Sequence, residues 1–338
     1  MRFALPLSML ALLTVTGSNA NVRPVLRTTA VLTAERVLLA PGDVERTRVG
    51  ALTYLGGVKL RSPDPAFGGF SAMRVEGDRF TLLSDAGNIV EFTLGADWQP
   101  RDARFADLPG PGTGWYKRYR DAESLTVDPE TGRVWVAFEW QDAIWRYDRT
   151  LSRVEASVRP PAMADWPVAS GPEAMVRFRD GSFLVFAEGD RPKGQPNART
   201  VLHFASDPTV TKRPPLSYAY VPPAGYSPVD AAELPDGRLL VLNRRFSVPA
   251  LFTGKLTLVD PGGVKPGGTM RGMELASFEP PLQHDNFEAL AITREGSDTI
   301  LWIAADDNQQ FWEESLLLKF RLEYAKSPPP ASGTGSRE

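Results

Sequence analysis

GPEAMVRFRDGSFLVFAEGD, Gly171 to Asp190, reads as a β-hairpin, with apolar residues recurring on either side of Asp180-Gly181 and a glutamate near each end. With Asp180 and Gly181 as the two central residues of a tight turn, Phe178 faces Phe183, Val176 faces Val185, and Glu173 stands opposite Glu188. Two carboxylates at one cross-strand position repel. Such a pair asks for a third group, a cation or a shared proton, to hold it together.

The same hairpin recurs along the chain. GFSAMRVEGDRFTLLSD (69–85), DAESLTVDPETGRVWVAFE (121–139), SPVDAAELPDGRLLVLNR (227–244) and NFEALAITREGSDTILWIAADD (286–307) are variants of GPEAMVRFRDGSFLVFAE (171–188). Aligned on Ser71, Glu123, Glu173, Asp230 and Glu288, they are spaced 52, 50, 57 and 58 residues apart. More strand-like sequence follows each copy, AIWRYD and VEASV after the second, KLTLVD and MELASF after the fourth. Four short strands per period of about 50 residues mark an all-β chain with the blades of a β-propeller. The fifth hairpin is followed by one strand, SLLLKFRLE, so ALTYLGGVKLRS near the N-terminus is expected to close the ring by completing the last blade. This predicts five blades; a sixth would have to come from Asn21 to Gly50, where no copy of the hairpin is found.

In such blades the connections from strand two to strand three and from blade to blade emerge on one face. Those connections are the long ones here, including EGDRPKGQPNAR, NRRFSVPALFTGK, DDNQQFWEES and PGPGTGWYKRYRDAE, whereas the first-to-second turns are tight. Long loops on a rigid scaffold are where function concentrates. The repeated acids Glu123, Glu173, Asp230 and Glu288 are predicted around the channel on that face, with Asp85, Glu139, Glu188, Asn243 and Asp306 in an outer tier. An all-oxygen donor set of this kind suits a hard cation, Ca²⁺ above all. Only His203 and His284 are present, which excludes a multi-histidine zinc or iron site.

Composition narrows the rest. The 338 residues carry a formal net charge of −3, with nothing to suggest a nucleic-acid partner. MRFALPLSMLALLTVTGSNA (1–20) has the pattern of a cleavable signal peptide with cleavage after Ala20, which implies a periplasmic or secreted protein and no membrane attachment afterwards. As a membrane anchor the apolar run is short and interrupted by Pro6. The absence of cysteine excludes disulfides, thiolate metal sites and a cysteine nucleophile. One propeller domain is expected over 21–325, as a monomer, followed by a disordered Pro/Ser/Gly-rich tail over 326–338.

The hairpins, together with SDAGNI, SPVDAAELPDGRLLVLNRRFS and DNFEALAITREGSDTILWIAADDN, resemble the exported bacterial family described as "esterase-like activity of phytase", over roughly Leu52 to Glu323. The resemblance implies a β-propeller and hydrolysis of phosphoric or carboxylic esters. Two positions depart from the family pattern, Glu123-Ser124-Leu125 and Glu288-Ala289-Leu290, where Glu-Gly-Leu would be expected. The acid at the start of each inner strand is also similar in architecture to calcium-dependent lactonase propellers.

Two readings follow. In the first the chain is a metal-dependent esterase or phosphoesterase acting on a small ester or phosphoester: Glu123, Glu173, Asp230 and Glu288 hold the cation, and Glu188 or Asp306 serves as base. In that reading His284 carries a proton, and Arg244, Arg245, Lys117 and Arg118 hold substrate oxygens. In the second the chain is a non-catalytic binding propeller with a structural ion, its recognition surface built from Trp115, Tyr116, Tyr119, Trp140, Phe311 and Trp312. A serine-hydrolase mechanism finds no support, because GFSAM fails the G-x-S-x-G pattern at its last position. PGGVKPGGTMRG lacks the Walker pattern and reads as a turn.

Overall fold

The second strands of the second and third repeats, VWVAF and FLVFA, are unbroken apolar runs because both of their faces are buried. The computed structural model describes residues 22–323, so the expected signal peptide (1–20) and the expected disordered tail (326–338) lie outside the described residues. No α-helix occurs among these residues. Strands β1 (Thr33–Arg36), β2 (Arg48–Val49) and β3 (Leu52–Arg61) come first. The first meander comprises β4 (Phe70–Glu76), β5 (Arg79–Ser84), β6 (Asn88–Leu94) and β7 (Pro100–Asp107). The second comprises β8 (Ala122–Val127), β9 (Val134–Phe138), β10 (Ala143–Tyr147) and β11 (Val154–Val158). The third comprises β12 (Pro172–Arg177), β13 (Phe183–Ala187), β14 (Arg199–Phe204) and β15 (Leu216–Val221). The fourth comprises β16 (Ser227–Glu233), β17 (Leu239–Ser247), β18 (Leu251–Val259) and β19 (Thr269–Phe278). Last come β20 (Phe287–Glu295), β21 (Asp298–Ala305) and β22 (Leu316–Leu322), to which β3 adds the fourth strand, pairing Leu322 with Leu52 at one end and Leu316 with Lys59 at the other.

The first strands β4, β8, β12, β16 and β20 touch in succession, and β20 returns to β4. The described strands therefore form a β-propeller in which five first strands make a closed ring and N- and C-terminal strands share the last sheet, which β1 and β2 extend to six strands by pairing with β3. The outer strands of the third and fourth units also pair, in parallel through Ala219–Thr269 and Tyr220–Met270, which fuses those units into one eight-stranded sheet.

The hydrophobic core divides between the units. Along β9, Val134, Val136 and Phe138 pack toward the first unit, while Trp135 and Ala137 pack toward the third. Along β13, Phe183, Val185 and Ala187 join the second unit, and Leu184 and Phe186 the fourth. The two-residue period of a strand sends alternate side chains to opposite neighbours, so each unit contributes to two cores and none is buried alone. With no disulfide available, these inter-unit cores hold the ring together.

The turns correct the expected register. The β12–β13 turn is not a two-residue Asp180-Gly181 turn: Phe178 N–H donates to Ser182 O at 2.8 Å, and Gly181 N–H to Phe178 O at 3.0 Å. Arg179, Asp180 and Gly181 form a three-residue loop in which Gly181 takes the left-handed position at φ +86°. Phe183 therefore faces Arg177 rather than Phe178, and Val185 faces Met175 rather than Val176. The β16–β17 turn repeats this geometry, with Gly237 at φ +86°.

Leu318 lies fully buried on the closing strand β22, opposite Gly57. Leu318→Ala is expected to cost about 2–5 kcal/mol in urea unfolding. Leu216→Ala, on the exposed start of β15, should stay within about 0.5 kcal/mol. Equal effects would contradict closure through β22 and β3.

Candidate functional site

Each first strand begins with a β-bulge at the same structural position. The extra residue, without a cross-strand partner, is Ser71 in β4, Glu123 in β8, Glu173 in β12, Val229 in β16 and Glu288 in β20. A bulge re-aims its side chain out of the regular alternation. Glu123, Glu173 and Glu288 thereby line a cleft of about 190 Å³ at the channel mouth. Ser71 instead donates its hydroxyl to Ala122 O at 2.5 Å, and Val229 joins the core between the fourth and fifth units.

The position following the second strand repeats as well. The N–H groups of Asp85, Glu139, Glu188 and Asp306 donate to the carbonyls of Gly69, Asp121, Gly171 and Asn286, at 2.8 to 3.0 Å. In the fourth unit that place, opposite Ser227, is taken by Arg244. The fourth unit thus supplies a cation where the other four supply acids. Glu173 and Glu188 do not face each other across the hairpin, since Gly171 is the residue opposite Glu188; the bulge brings the two carboxylates to one cleft nonetheless.

Eight carboxyl groups line the mouth, those of Asp85, Asp121, Glu123, Glu139, Glu173, Glu188, Glu288 and Asp306, with Asn308 and only two cations, Lys117 and Arg244. Lys117 Nζ lies 2.5 Å from Asp85 and 3.2 Å from Asp121. The second contact is an ion pair only, because Asp121 Oδ1 is buried and receives no hydrogen bond. Arg244 pairs with Glu288, with Glu188 at 3.3 Å and with Glu173 at 3.7 Å. It also donates to Asn286 Oδ1 at 3.1 Å. Glu123 and Glu139 have no cationic side chain in ion-pair contact among the described residues.

The electrostatics follow from this imbalance. Burial, then the carboxylates of Asp121, Glu173 and Glu139, push Glu123 well above the ordinary carboxyl range. Burial and Asp121 push Glu139 up to about 8. Burial and Glu188 raise Glu173, and burial and Asp85 raise Asp306. Burial opposes the charge of Lys117, but Asp85, Asp121 and Glu123 outweigh it and raise its pKa. Oxygens of Asp121, Glu123 and Glu139, and separately of Glu139, Glu173 and Glu188, lie within 4.8 Å of one another. Glu139 belongs to both groups. Such a cleft can take up protons or a hard, oxygen-ligated cation.

Several expected site residues lie elsewhere. Asp230 sits one residue past the bulge, opposite Leu242, and accepts the N–H groups of Leu290 at 2.6 Å and Ala231 at 2.8 Å. It ties β16 to β20 rather than lining the cleft, and Asp121 supplies the eighth mouth carboxyl instead. Asn243 faces Pro228 and is fully buried against Tyr220 and Thr257. Arg245 lies over the Tyr226 ring at 4.7 Å, and Arg118 over Tyr119 at 5.1 Å. Neither lines the cleft, and nor does His284, whose Nδ1 lies 2.7 Å from Leu282 O. Asp121 and Asn308 also line the cleft, and no repeated phase in the sequence marks them. Arg244, expected to hold substrate oxygens, lines the cleft and pairs with Glu173, Glu188 and Glu288.

Residues 65–309 match a family model described as "Phytase-like: Esterase-like activity of phytase". No curated protein matches the chain. Among solved structures the chain is similar to Kuenenia stuttgartiensis hydrazine synthase, at 14% identity over 70% of this chain and 64% of that one, TM-score 0.38. It is similar to the Malassezia sympodialis allergen Mala s 1, at 14% identity over 86% of this chain and 96% of that one, TM-score 0.42. It is also similar to the Myceliophteria thermophila Cps50 (Swd1) β-propeller domain, at 13% identity over 76% of this chain and 66% of that one, TM-score 0.36. The chain thus spans just under two thirds of the length of the first and last of these.

The raised carboxyl groups carry a pH dependence of definite sign. Unfolded, Glu139 ionises near 4.5; folded, near 8. Between those values the unfolded chain has released a proton that the folded chain keeps, so stability falls as pH rises through this window and levels off above it. Glu123, Glu173 and Asp306 act in the same direction, the carboxyls titrating as a group. In the presence of a chelator the thermal midpoint is expected to fall between pH 5 and 8, less steeply in Glu139→Gln. A flat or rising midpoint would contradict this electrostatic description.

Proposed function

The chain belongs to the Phytase-like family, described as esterase-like activity of phytase, and from that membership we propose that it is an exported hydrolase of ester bonds working at the acidic channel mouth with a bound Ca²⁺. The observation that carries this reading is Glu139, which belongs to both close groups of three carboxyls and has no cationic partner of its own. Glu123 and Glu139 would hold the ion, assisted by Asp121 on one side and by Glu173 on the other. The donor set fits, being all oxygen, and the buried Asp121 Oδ1 still lacks a hydrogen bond. When bound, Ca²⁺ would polarise the carbonyl or phosphoryl oxygen of the ester and lower the pKa of a water.

The chain's own groups divide the remaining work. Glu188 is 26% exposed while Glu173 beside it is 7% exposed, so it is the one that solvent and substrate reach. Arg244 orients it, and it accepts a proton from the attacking water as general base. Asp306 accepts the Asn308 N–H through Oδ1 and keeps a proton on its carboxyl by burial and the nearby Asp85. Lys117 holds Asp85 and Asp121 in place and keeps the first meander's edge against the second.

Metal-stripped protein is expected to hydrolyse p-nitrophenyl esters only after Ca²⁺ is restored. Glu139→Gln should weaken Ca²⁺ at least as much as loss of an outer-shell partner does, about 10- to 100-fold, and reduce turnover with it. Ca²⁺ binding without turnover of any ester would replace the hydrolase by a binding propeller with a structural ion. Unchanged Ca²⁺ affinity in Glu139→Gln would remove the site altogether.

A further inference from the structure

The six exposed aromatic side chains among the described residues are Trp115, Tyr116, Trp140, Phe246, Phe311 and Trp312; Phe246 lies near the end of β17, Trp140 in a 3-10 turn, and the rest in loops. Exposed apolar residues elsewhere are aliphatic. Each aromatic is a close chain neighbour of a residue lining the cleft: Tyr116 precedes Lys117, Trp140 follows Glu139, Phe246 comes two after Arg244, and Phe311 comes three after Asn308.

The rim is held in place. Trp312 Nε1 donates to Glu313 Oε1 at 3.1 Å, and Asn308 Nδ2 donates to Glu313 Oε2 at 2.7 Å, so that loop is anchored to the mouth through one carboxylate. Phe311, 94% exposed, packs edge-on against Trp312 at 4.6 Å. On the fourth unit the Arg244 guanidinium lies 5.9 Å from the Phe252 ring, which meets exposed Phe246 at 5.1 Å with the rings tilted by 60°. Exposed aromatic surface grouped around a polar cleft marks a place where an apolar ligand body lies.

Apart from a bound cation, the cleft's own side chains are poor receptors for a phosphate group. Its two cations are both engaged, Lys117 by Asp85 and Asp121, Arg244 by Glu173, Glu188 and Glu288. A phosphate monoester brings up to two negative charges and needs donors free to receive them. On the loop of the third unit, the Arg191 guanidinium is taken up by the carbonyls of Gly189 and Pro196.

Resting on the hydrolase reading above, we infer that the substrates are uncharged carboxylic esters with a bulky apolar group. The ester function enters the cleft, and the apolar group lies on the rim formed by Phe311, Trp312, Phe246, Trp140 and Tyr116. Phe311 and Trp312 set the preference for chain length without touching the reacting atoms.

The test compares Ca²⁺-loaded protein on p-nitrophenyl octanoate, p-nitrophenyl acetate and p-nitrophenyl phosphate. A partly covered octanoyl chain is expected to raise kcat/KM over acetate by at least about tenfold, chiefly through KM, with phosphate at background. In a Phe311→Ala/Trp312→Ala double variant, shown folded by its thermal midpoint and Ca²⁺ content, the octanoate-to-acetate ratio should fall about tenfold. Turnover of phosphate at or above the rate of the esters, or no preference for octanoate, overturns the inference and leaves the hydrolase reading standing. No turnover of any of the three overturns both. Cosedimentation with phosphatidylcholine vesicles that depends on the two rings, with the ester ratio unchanged in the variant, assigns the rim to a membrane surface and overturns the inference alone.

Discussion

Eight carboxyl groups share a cleft of about 190 Å³ with two side-chain cations, and the arrangement around the channel mouth answers to that excess. Like charges in a partly dry site cannot all ionise. Lys117 is held by two carboxylates and Arg244 by three, so each cation is clamped rather than free to meet a ligand. The residual charge falls on Glu123 and Glu139, whose protons are retained above the ordinary carboxyl range. Replacing those protons by a cation relieves the repulsion without altering the scaffold.

The scaffold imposes this crowding through its first strands. Each makes a bulge near its start, and in three of five cases the bulged residue is a glutamate turned into the mouth. A regular strand would spread the acids between two faces. The inner strands touch in a closed ring, and alternate side chains of each second strand pack into different inter-unit cores. The acids therefore cannot move apart without disturbing packing on both sides. The fourth unit departs twice, with Val229 at the bulge and Arg244 at the outer place, and both departures lower the negative charge.

Much of this was legible in the sequence, and the limits are instructive. The recurring hairpin, the strand count and the closure by ALTYLGGVKLRS depend on apolar runs that tolerate small slips in register. Glu123, Glu173 and Glu288 share a phase that survives those slips. Asp230 does not: Val229 occupies the bulge and the acid follows it by one residue, because the bulge is a property of the backbone and not of the side chain. The turn had the same effect, since RDGS and PDGR form three-residue loops with Gly181 and Gly237 at the left-handed position. Each loop shifts the pairing by one residue and the bulge shifts it by one more, so Glu188 meets Gly171. The role of Arg244 lies beyond pattern reading, because its acidic partners come from two other units, far away in sequence.

The most direct test of a cation shared by the mouth acids is anomalous diffraction from crystals in which Ca²⁺ is replaced by a lanthanide, another hard ion bound through oxygen. The account predicts one strong peak at the channel mouth in contact with the carboxylates of Glu123 and Glu139, lost in crystals of Glu139→Gln. A mouth with no peak, or a peak that remains unchanged in Glu139→Gln, would contradict it.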